Sequence, residues 1–469
     1  MDSTIKALHK NVAESVAGPL GAVLLHLLIV LVLFLMSDPP RKPTESFVEV
    51  AYLGSEKPEA FGTSGNISES MPEIFPLEVC DFSSSDLADP CRSMGVPPSI
   101  APEVVQGIVA GVLNERMGQK AHAKAVRRYG GSGARGAEAA VQRALQWLRR
   151  NQNADGSWGT THEEAMTGLG VLTFLAHGET TASKKYGATV ASALRFLVAR
   201  QNTKGEFVAT DSNAGSYAQA ICVYAVSEAY HMTRIMELKS AMERGLQVLI
   251  DGQQFRGGFD YRFSKRHRRD TSLGSWCCQA MKAAAIAGAD SAGLSAAMEL
   301  AANDMKSVQL KDGGFGYTSS KGTATIGITA AAVLSLQLLG HGGDSEVQKG
   351  LDFLGDADCA WKNPPEWPMS TWYYVSQAKF HQGGAAWTAW NKRLVLPFIS
   401  NQNADGSWTS PAMNSKLRSI TREDMHPVYA TTFAALTLQV YYRFLPTYEP
   451  IAVEPIDQTS DDDVDIEVL

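Results

Sequence analysis

Lys265-Arg266-His267-Arg268-Arg269-Asp270 gathers more chemistry-bearing side chains than any other stretch of this 469-residue chain. Lys265, Arg266, Arg268 and Arg269 are candidate ligand-binding residues, because cations at this density offer charge-assisted hydrogen bonds to a phosphate or another anionic head group. The competing reading is a solvated loop partly neutralised by Asp270. Asp270 is a weak candidate catalytic acid, since a neighbouring arginine favours the ionised carboxylate, the wrong form for a proton donor. Glu163 and Glu164 are weak candidates too; either, with Asp270, would make a carboxylate pair for acid–base work on a glycosidic bond if the separation were right. Their plainer role is at the start of a helix, where carboxylates favour the dipole.

Metal chemistry finds less support. Asp356, Asp358, Cys359, His381 and His426 could be assembled into a ligand set, but nothing in their spacing makes them converge. No metal site and no cofactor is expected. Gly131, Gly133 and Gly136 spell G-x-G-x-x-G, yet Arg127-Arg128-Tyr129 ahead of them is not a strand, so the dinucleotide reading fails and a flexible joint is expected. G-x-S-x-G, Walker and H-E-x-x-H motifs are absent, as is G-C-G-E-Q.

These residues sit within a repeat. The phrase Q-x-x-x-G-x-(W/F) occurs at Gln152–Trp158, Gln201–Phe207, Gln253–Phe259, Gln309–Phe315 and Gln402–Trp408, with the glycines stepping by 49, 52, 56 and 93 residues. The last step is nearly double, which places a degenerate copy near Trp361–Trp367 and makes six units of about fifty residues. An amphipathic stretch such as Ala137–Arg150 leads into each phrase, and a more apolar, small-residue-rich stretch follows. The followers are Ala165–Ala176, Tyr217–Tyr230, Thr271–Ala287, Thr325–Leu339, Trp372–Phe380 and Val428–Tyr442. The pattern predicts six helical hairpins, the first helix outside and the second buried. Glycine would end the outer helix, the aromatic would plug the gap between hairpins, and the glutamine amide would bond a neighbouring helix end. Trp276, Trp372, Tyr373, Tyr374 and Tyr429 lie on the inner stretches, as cavity lining or as core.

Such repeats resemble the squalene cyclase and protein prenyltransferase superfamily over roughly residues 137–445. The resemblance implies an all-α (α/α)6 toroid with a central cavity. The words Trp372-Tyr373-Tyr374, Trp387-Thr388-Ala389-Trp390-Asn391 and Val428-Tyr429-Ala430-Thr431-Thr432 resemble a bacterial membrane-tethered subgroup. Cyclases carry a D-x-D-D acid at the start of an inner helix; here only Asp270 matches its last carboxylate. Prenyltransferases hold zinc with D-x-C and a later His; here Asp270-Thr271-Ser272 replaces the Cys, and Val428-Tyr429-Ala430-Thr431 stands where the His is expected. A basic cluster ahead of D-x-C holds the diphosphate in prenyltransferases. Three functions follow as expectations. The first is a binding or scaffold toroid without the usual acid and zinc ligands. The alternatives are an isoprenoid-processing enzyme that grips a polyprenyl diphosphate, and an (α/α)6 carbohydrate-active enzyme.

Val16–Met36 has no charged side chain and is just long enough to cross a bilayer, so a single transmembrane helix is expected after residues 1–15. Residues 37–130 read as a largely irregular linker with a possible helix over 102–126, and 446–469 as an acidic disordered tail. Cys80 and Cys91 are open between a disulfide and two free thiols. Net charge is −7 with a pI near 5.9, which excludes a global basic field for nucleic acid. The expected setting is the cell membrane, single-pass, with the toroid outside the cytoplasm. The expected partners are the membrane and a lipid, an isoprenoid or another envelope protein.

Overall fold

The computed structural model describes residues 125–209, 212–411 and 427–443. The Val16–Met36 span, the linker including Cys80 and Cys91, residues 102–124 of the helix proposed over 102–126, His426 and the acidic tail lie outside the described residues. Among the described residues no helix is long and apolar enough to cross a membrane.

Twelve α-helices alternate between two layers among the described residues. The outer helices are α1 (Ala134–Arg150), α3 (Gly187–Arg200), α5 (Met236–Gly252), α7 (Leu294–Ser307), α9 (Ser345–Phe353) and α11 (Gly384–Ser400). The inner helices are α2 (Glu163–Ala176), α4 (Asn213–Thr233), α6 (Thr271–Ala287), α8 (Ile326–Leu338), α10 (Pro368–Gln382) and α12 (Pro427–Leu438). The reason for the layering is legible in α1. Ala137, Ala140, Val141, Ala144, Leu145 and Leu148 form one buried stripe, while Arg149 and Arg150 stay in water near the negative end of the helix dipole. The inner helices are buried nearly all round and use small residues where neighbours approach closely. A Cβ on Gly170 would lie 2.7 Å from the Trp158 ring, and one on Gly168 would lie 2.8 Å from Ile221.

Packing runs round the inner layer from α2 to α4, α6, α8, α10 and α12, and α12 packs back on α2. α1 meets both α11 and α12, so the last hairpin closes on the first. The six hairpins form a closed ring.

Five joints of the ring are built alike. Each glutamine Nε2 donates to the carbonyl of its own phrase glycine and to a carbonyl early in the next outer helix. The outer acceptors are Thr189, Ala241, Ala297, Glu346 and, at the seam, Ala140, all at 2.7–2.8 or 2.9 Å. The glycines have φ from +87° to +97°, a region that a Cβ disfavours. Each also lies under the backbone of the next outer helix; a Cβ on Gly406 would sit 2.5 Å from the carbonyl oxygen of Arg143. Trp158, Phe207, Phe259, Phe315 and Trp408 fill the joints and are buried. The sequence expectation needs one correction. The glycine does not end the outer helix: α1 ends at Arg150 and α11 at Ser400, capped by Asn151 and Asn401, and the glycine lies in the turn that follows.

The degenerate sixth joint solves the same problem from the other side. Trp372, on inner helix α10, donates its indole N–H to the carbonyl of Asp358 at 3.1 Å. Trp158 and Trp408 do the equivalent to Leu148 and Phe398 at 2.8 Å. Trp372 stacks on Trp361 and meets Phe398 of α11 edge-on. The plug is thus supplied from the inner helix where the phrase has decayed.

Gly130–Gly133 is not a free hinge. Gly131–Gly133 forms a helical turn, and a Cβ on Gly133 would lie 2.5 Å from Val395 of α11. Asn391 donates to the Gly130 carbonyl at 3.0 Å and Trp387 to that of Tyr129 at 3.0 Å. Packing on α11 therefore begins several residues before Ala137.

Candidate functional site

Because every outer helix returns the chain, the N-terminal ends of the inner helices share one rim. Asp270 caps α6 there and is fully buried. Its carboxylate accepts from the Leu273 backbone N–H at 3.0 Å, Ser272 Oγ at 2.7 Å, Tyr217 OH at 3.4 Å and Arg268 Nη2 at 3.3 Å. Every contact treats it as an acceptor, so it is arranged as a capping anion. Tyr217 lies on α4, and its hydroxyl is 2.6 Å from Ser272 Oγ. Burial, and then the Asp270 charge, pushes the Tyr217 phenol well above its ordinary value. Tyr317 is raised by the same two causes.

The basic run is dispersed by folding. Lys265 Nζ donates to the carbonyls of Asp251 and, at 2.6 Å, Gln253, neutralising the exposed end of α5. Arg269 is buried against Asp304 of α7, with Nε to Oδ2 at 2.9 Å, and also donates to Thr271 Oγ1. Arg268 pairs with Asp260 and Asp270 and lies over the Tyr261 ring, 4.7 Å from its centroid. Burial opposes the Arg268 charge, but Asp260 and Asp270 outweigh it and hold the guanidinium firmly protonated. Arg266 and His267 remain exposed and form no ion pair among the described residues.

Glu163 and Glu164 occupy the first turn of α2 as expected. Both engage Arg200 of outer helix α3, at 3.0 and 3.4 Å. Their partner is therefore on the outer layer, whereas the partners of Asp270 come from α4 and the loop before α6. Asp358 gives its carbonyl to Trp372, Cys359 is buried, and His381 is exposed at the end of α10. Among the described residues no three His, Cys, Asp or Glu side chains are grouped as a metal ion requires.

Of the aromatic candidates, Trp372 belongs to the sixth joint, while the others converge on the ring axis. Trp276 of α6 stacks on Tyr373 of α10, with centroids 6.1 Å apart and planes 14° from parallel. It also meets Tyr374 of α10 at 6.2 Å, Phe433 of α12 at 6.2 Å and Tyr224 of α4 at 6.5 Å. In the ring order α6 and α12 are opposite, as are α4 and α10. A single indole thus touches rings from two opposite pairs of helices, which happens only where side chains meet at the centre. Tyr429 packs on Phe433 at 4.7 Å. Trp276, Tyr373, Tyr374 and Phe433 are all buried.

On the C-terminal side of this cluster the inner helices carry buried polar groups. Tyr373 OH donates to Gln279 Oε1 at 3.1 Å, and Arg443 donates to Gln377 Oε1 at 3.1 Å. Lys282 of α6 is buried as well, whereas His381, in the last turn of α10, is exposed. Lys282 and Gln377 were missed in the sequence. The signal was present: Lys282 is a lone charge in the small apolar run of α6 (CCQAMKAAAIA).

No family model matches this chain, and no curated protein matches it. Solved structures do. An α-1,6-mannanase of Salegentibacter sp. HEL1_6, in complex with α-1,6-mannotriose, is 9% identical, with 65% of this chain and 99% of that one covered at a TM-score of 0.50. The cellobiose 2-epimerase of Spirochaeta thermophila DSM 6192 is 13% identical over 74% and 99%, at 0.48. A type II terpene cyclase from Scytonema, bound to geranylgeranyl dihydroxybenzoate, is 13% identical over 66% and 97%, at 0.44. At these identities the likeness is one of fold. The described residues of this chain form an all-helical α/α toroid of the architecture that the mannanase shares.

Proposed function

We propose that this protein is a membrane-anchored binding or scaffold toroid, held at the extracytoplasmic face of the cell membrane by Val16–Met36 and serving another envelope component rather than turning over a substrate in its lumen. One observation carries the reading: the Trp276–Tyr373–Phe433 cluster occupies the axis on which a toroid enzyme would hold its substrate. The saturated carboxylate of Asp270 supports it, since a carboxylate that accepts from Ser272, Tyr217, Arg268 and the Leu273 amide is tied to capping α6. The division of Glu163 and Glu164 from Asp270 by their partners weakens a two-carboxylate reaction on sugars.

The test uses the full-length protein in detergent, titrated calorimetrically with geranylgeranyl diphosphate and assayed for product with a thiol acceptor and added Zn²⁺. The expected outcome is no turnover and no saturable heat. Turnover that disappears in Asp270→Asn would replace the scaffold reading with the isoprenoid-processing one.

A further inference from the structure

The loop before α6 carries an aromatic side chain that the core does not use. Phe255 is 97% exposed, the most exposed large hydrophobic among the described residues. The same position in the other joints holds Ala154, Thr203, Lys311 and Ala404, so the turn itself does not need an aromatic. Arg256 follows it, and Arg256, Arg262, Lys265, Arg266 and His267 are all exposed. Arg256, Arg262 and Arg266 form no ion pair among the described residues.

This surface is built rather than loose. Gln254 stands where three other joints have asparagine, and its longer amide donates to the carbonyls of Ser264, Arg266 and Arg268 at 2.9, 2.7 and 2.6 Å. The Phe255–Arg256 turn and the 264–268 segment are therefore knitted into one unit. Lys265 ties the same unit to the end of α5. Arg262 and Phe263 hold left-handed backbone at φ +59° and +47°, with Arg262 N donating to Ser216 Oγ at 2.6 Å. Two successive non-glycine residues in that region imply that the surrounding contacts dictate the shape of the loop.

We propose that the Phe255–Arg268 unit docks the toroid onto an anionic lipid surface, the phenyl ring entering the interface while Arg256, Arg262 and Arg266 meet head-group phosphates. An exposed aromatic carried on the same knitted loop as exposed arginines that form no ion pair among the described residues matches the two chemistries of such a surface, apolar beneath and negative above. A protein partner would need a groove or a complementary face; a single projecting ring with a diffuse cationic rim needs only a soft anionic plane. The proposal does not depend on the function proposed above: a catalytic toroid could dock equally, and a scaffold toroid could fail to.

The test is hydrogen–deuterium exchange of residues 255–268 in the full chain reconstituted into vesicles of phosphatidylcholine alone or with phosphatidylglycerol. The expected result is exchange slowed by about five-fold or more with phosphatidylglycerol, reversed at about 1 M salt where screening is nearly complete. The triple variant Phe255→Ser, Arg256→Gln, Arg266→Gln should lose the difference, and its unchanged melting curve would show that the fold is intact. Equal exchange in the two vesicle types overturns the proposal. So does protection that persists in neutral detergent and vanishes on removal of residues 446–469, because the acidic tail would then be the occupant.

Discussion

Gln402 and Ala140 are 262 residues apart, yet the Gln402 amide donates to the Ala140 carbonyl at 2.8 Å and joins the last outer helix to the first. Around it Trp147 Nε1 donates to Asp405 at 3.0 Å, and Arg143 Nε to Gln402 at 2.9 Å. This seam is the one joint whose partners come from opposite ends of the repeat array. Gly406→Ala should therefore be far more damaging than an alanine at a glycine with positive φ and free space. Gly288 is that control, with φ +83° and nothing within 4 Å of its would-be Cβ. Gly288→Ala should cost about 1 kcal/mol, from backbone strain alone. Gly406→Ala should cost at least about 3 kcal/mol, because strain and collision with Arg143 combine. Urea unfolding of the two variants decides it; equal midpoints would mean that the seam does not support the fold.

The axial cluster makes a second prediction. Trp276→Ala should destabilise by about 3–5 kcal/mol, as large-to-small changes at buried aromatics do. It should also open a dry cavity on the axis that takes up a small apolar probe such as benzene. Wild-type protein that already binds the probe would contradict a filled axis.

His177 gives a pH prediction. Burial alone would lower its pKa, but the hydrogen bonds its ring nitrogens donate to Glu138 at 3.1 Å and Glu179 at 3.3 Å outweigh burial and raise it from 6.5 to about 9. A raised folded-state pKa contributes stability that is complete below about pH 6.5 and is lost as pH climbs through about 9, worth a few kcal/mol at most. Melting temperature should fall across that window in the wild type and fall less in His177→Gln. Parallel curves would remove the role assigned to the Glu138–His177–Glu179 group.

Arg269 and Asp304 are both buried, and neither can lose its partner cheaply. Arg269→Met should cost about 3–5 kcal/mol, since it strands the Asp304 carboxylate, and Asp304→Leu added to it should recover much of the loss. A double variant no better than the single one would show that the pair is not the main constraint.

Cys222, Cys277, Cys278 and Cys359 are free and buried. Burial pushes their thiols up, Cys278 to about 12. Native protein should leave all four unlabelled by a thiol reagent at pH 8 over hours, with labelling that follows unfolding. Rapid labelling of any of them, read by peptide mapping, would mean that an inner helix opens locally.

Much of the architecture was readable in advance. The steps of the Q-x-x-x-G-x-(W/F) phrase gave the number of hairpins and located the decayed copy, because each joint imposes the same backbone and hydrogen-bond requirements. Thr271–Ala287 coincides with α6, since Asp270 is a strong N-cap and Gly288 a strong terminator. The Gly130–Gly133 segment was misleading. Its glycines suggest freedom, but Val126 and Ala134 leave no room for a Cβ on Gly130, Val395 leaves none on Gly133, and Gly131 holds φ +63°.

The sequence alone determined the helical period, the repeat and the residues of each joint, because these depend on local backbone preferences and on spacing along the chain. Only the tertiary structure decided what the charged and aromatic residues do. Lys265, Arg268 and Arg269 look alike in sequence, yet one caps a helix, one pairs at the rim and one is buried with Asp304. Trp276 and Trp372 look alike too, yet one meets Tyr373 and Phe433 on the axis and the other seals a joint. Those roles depend on which residues the closed ring brings within a few ångströms, and that proximity arises across helices rather than along them.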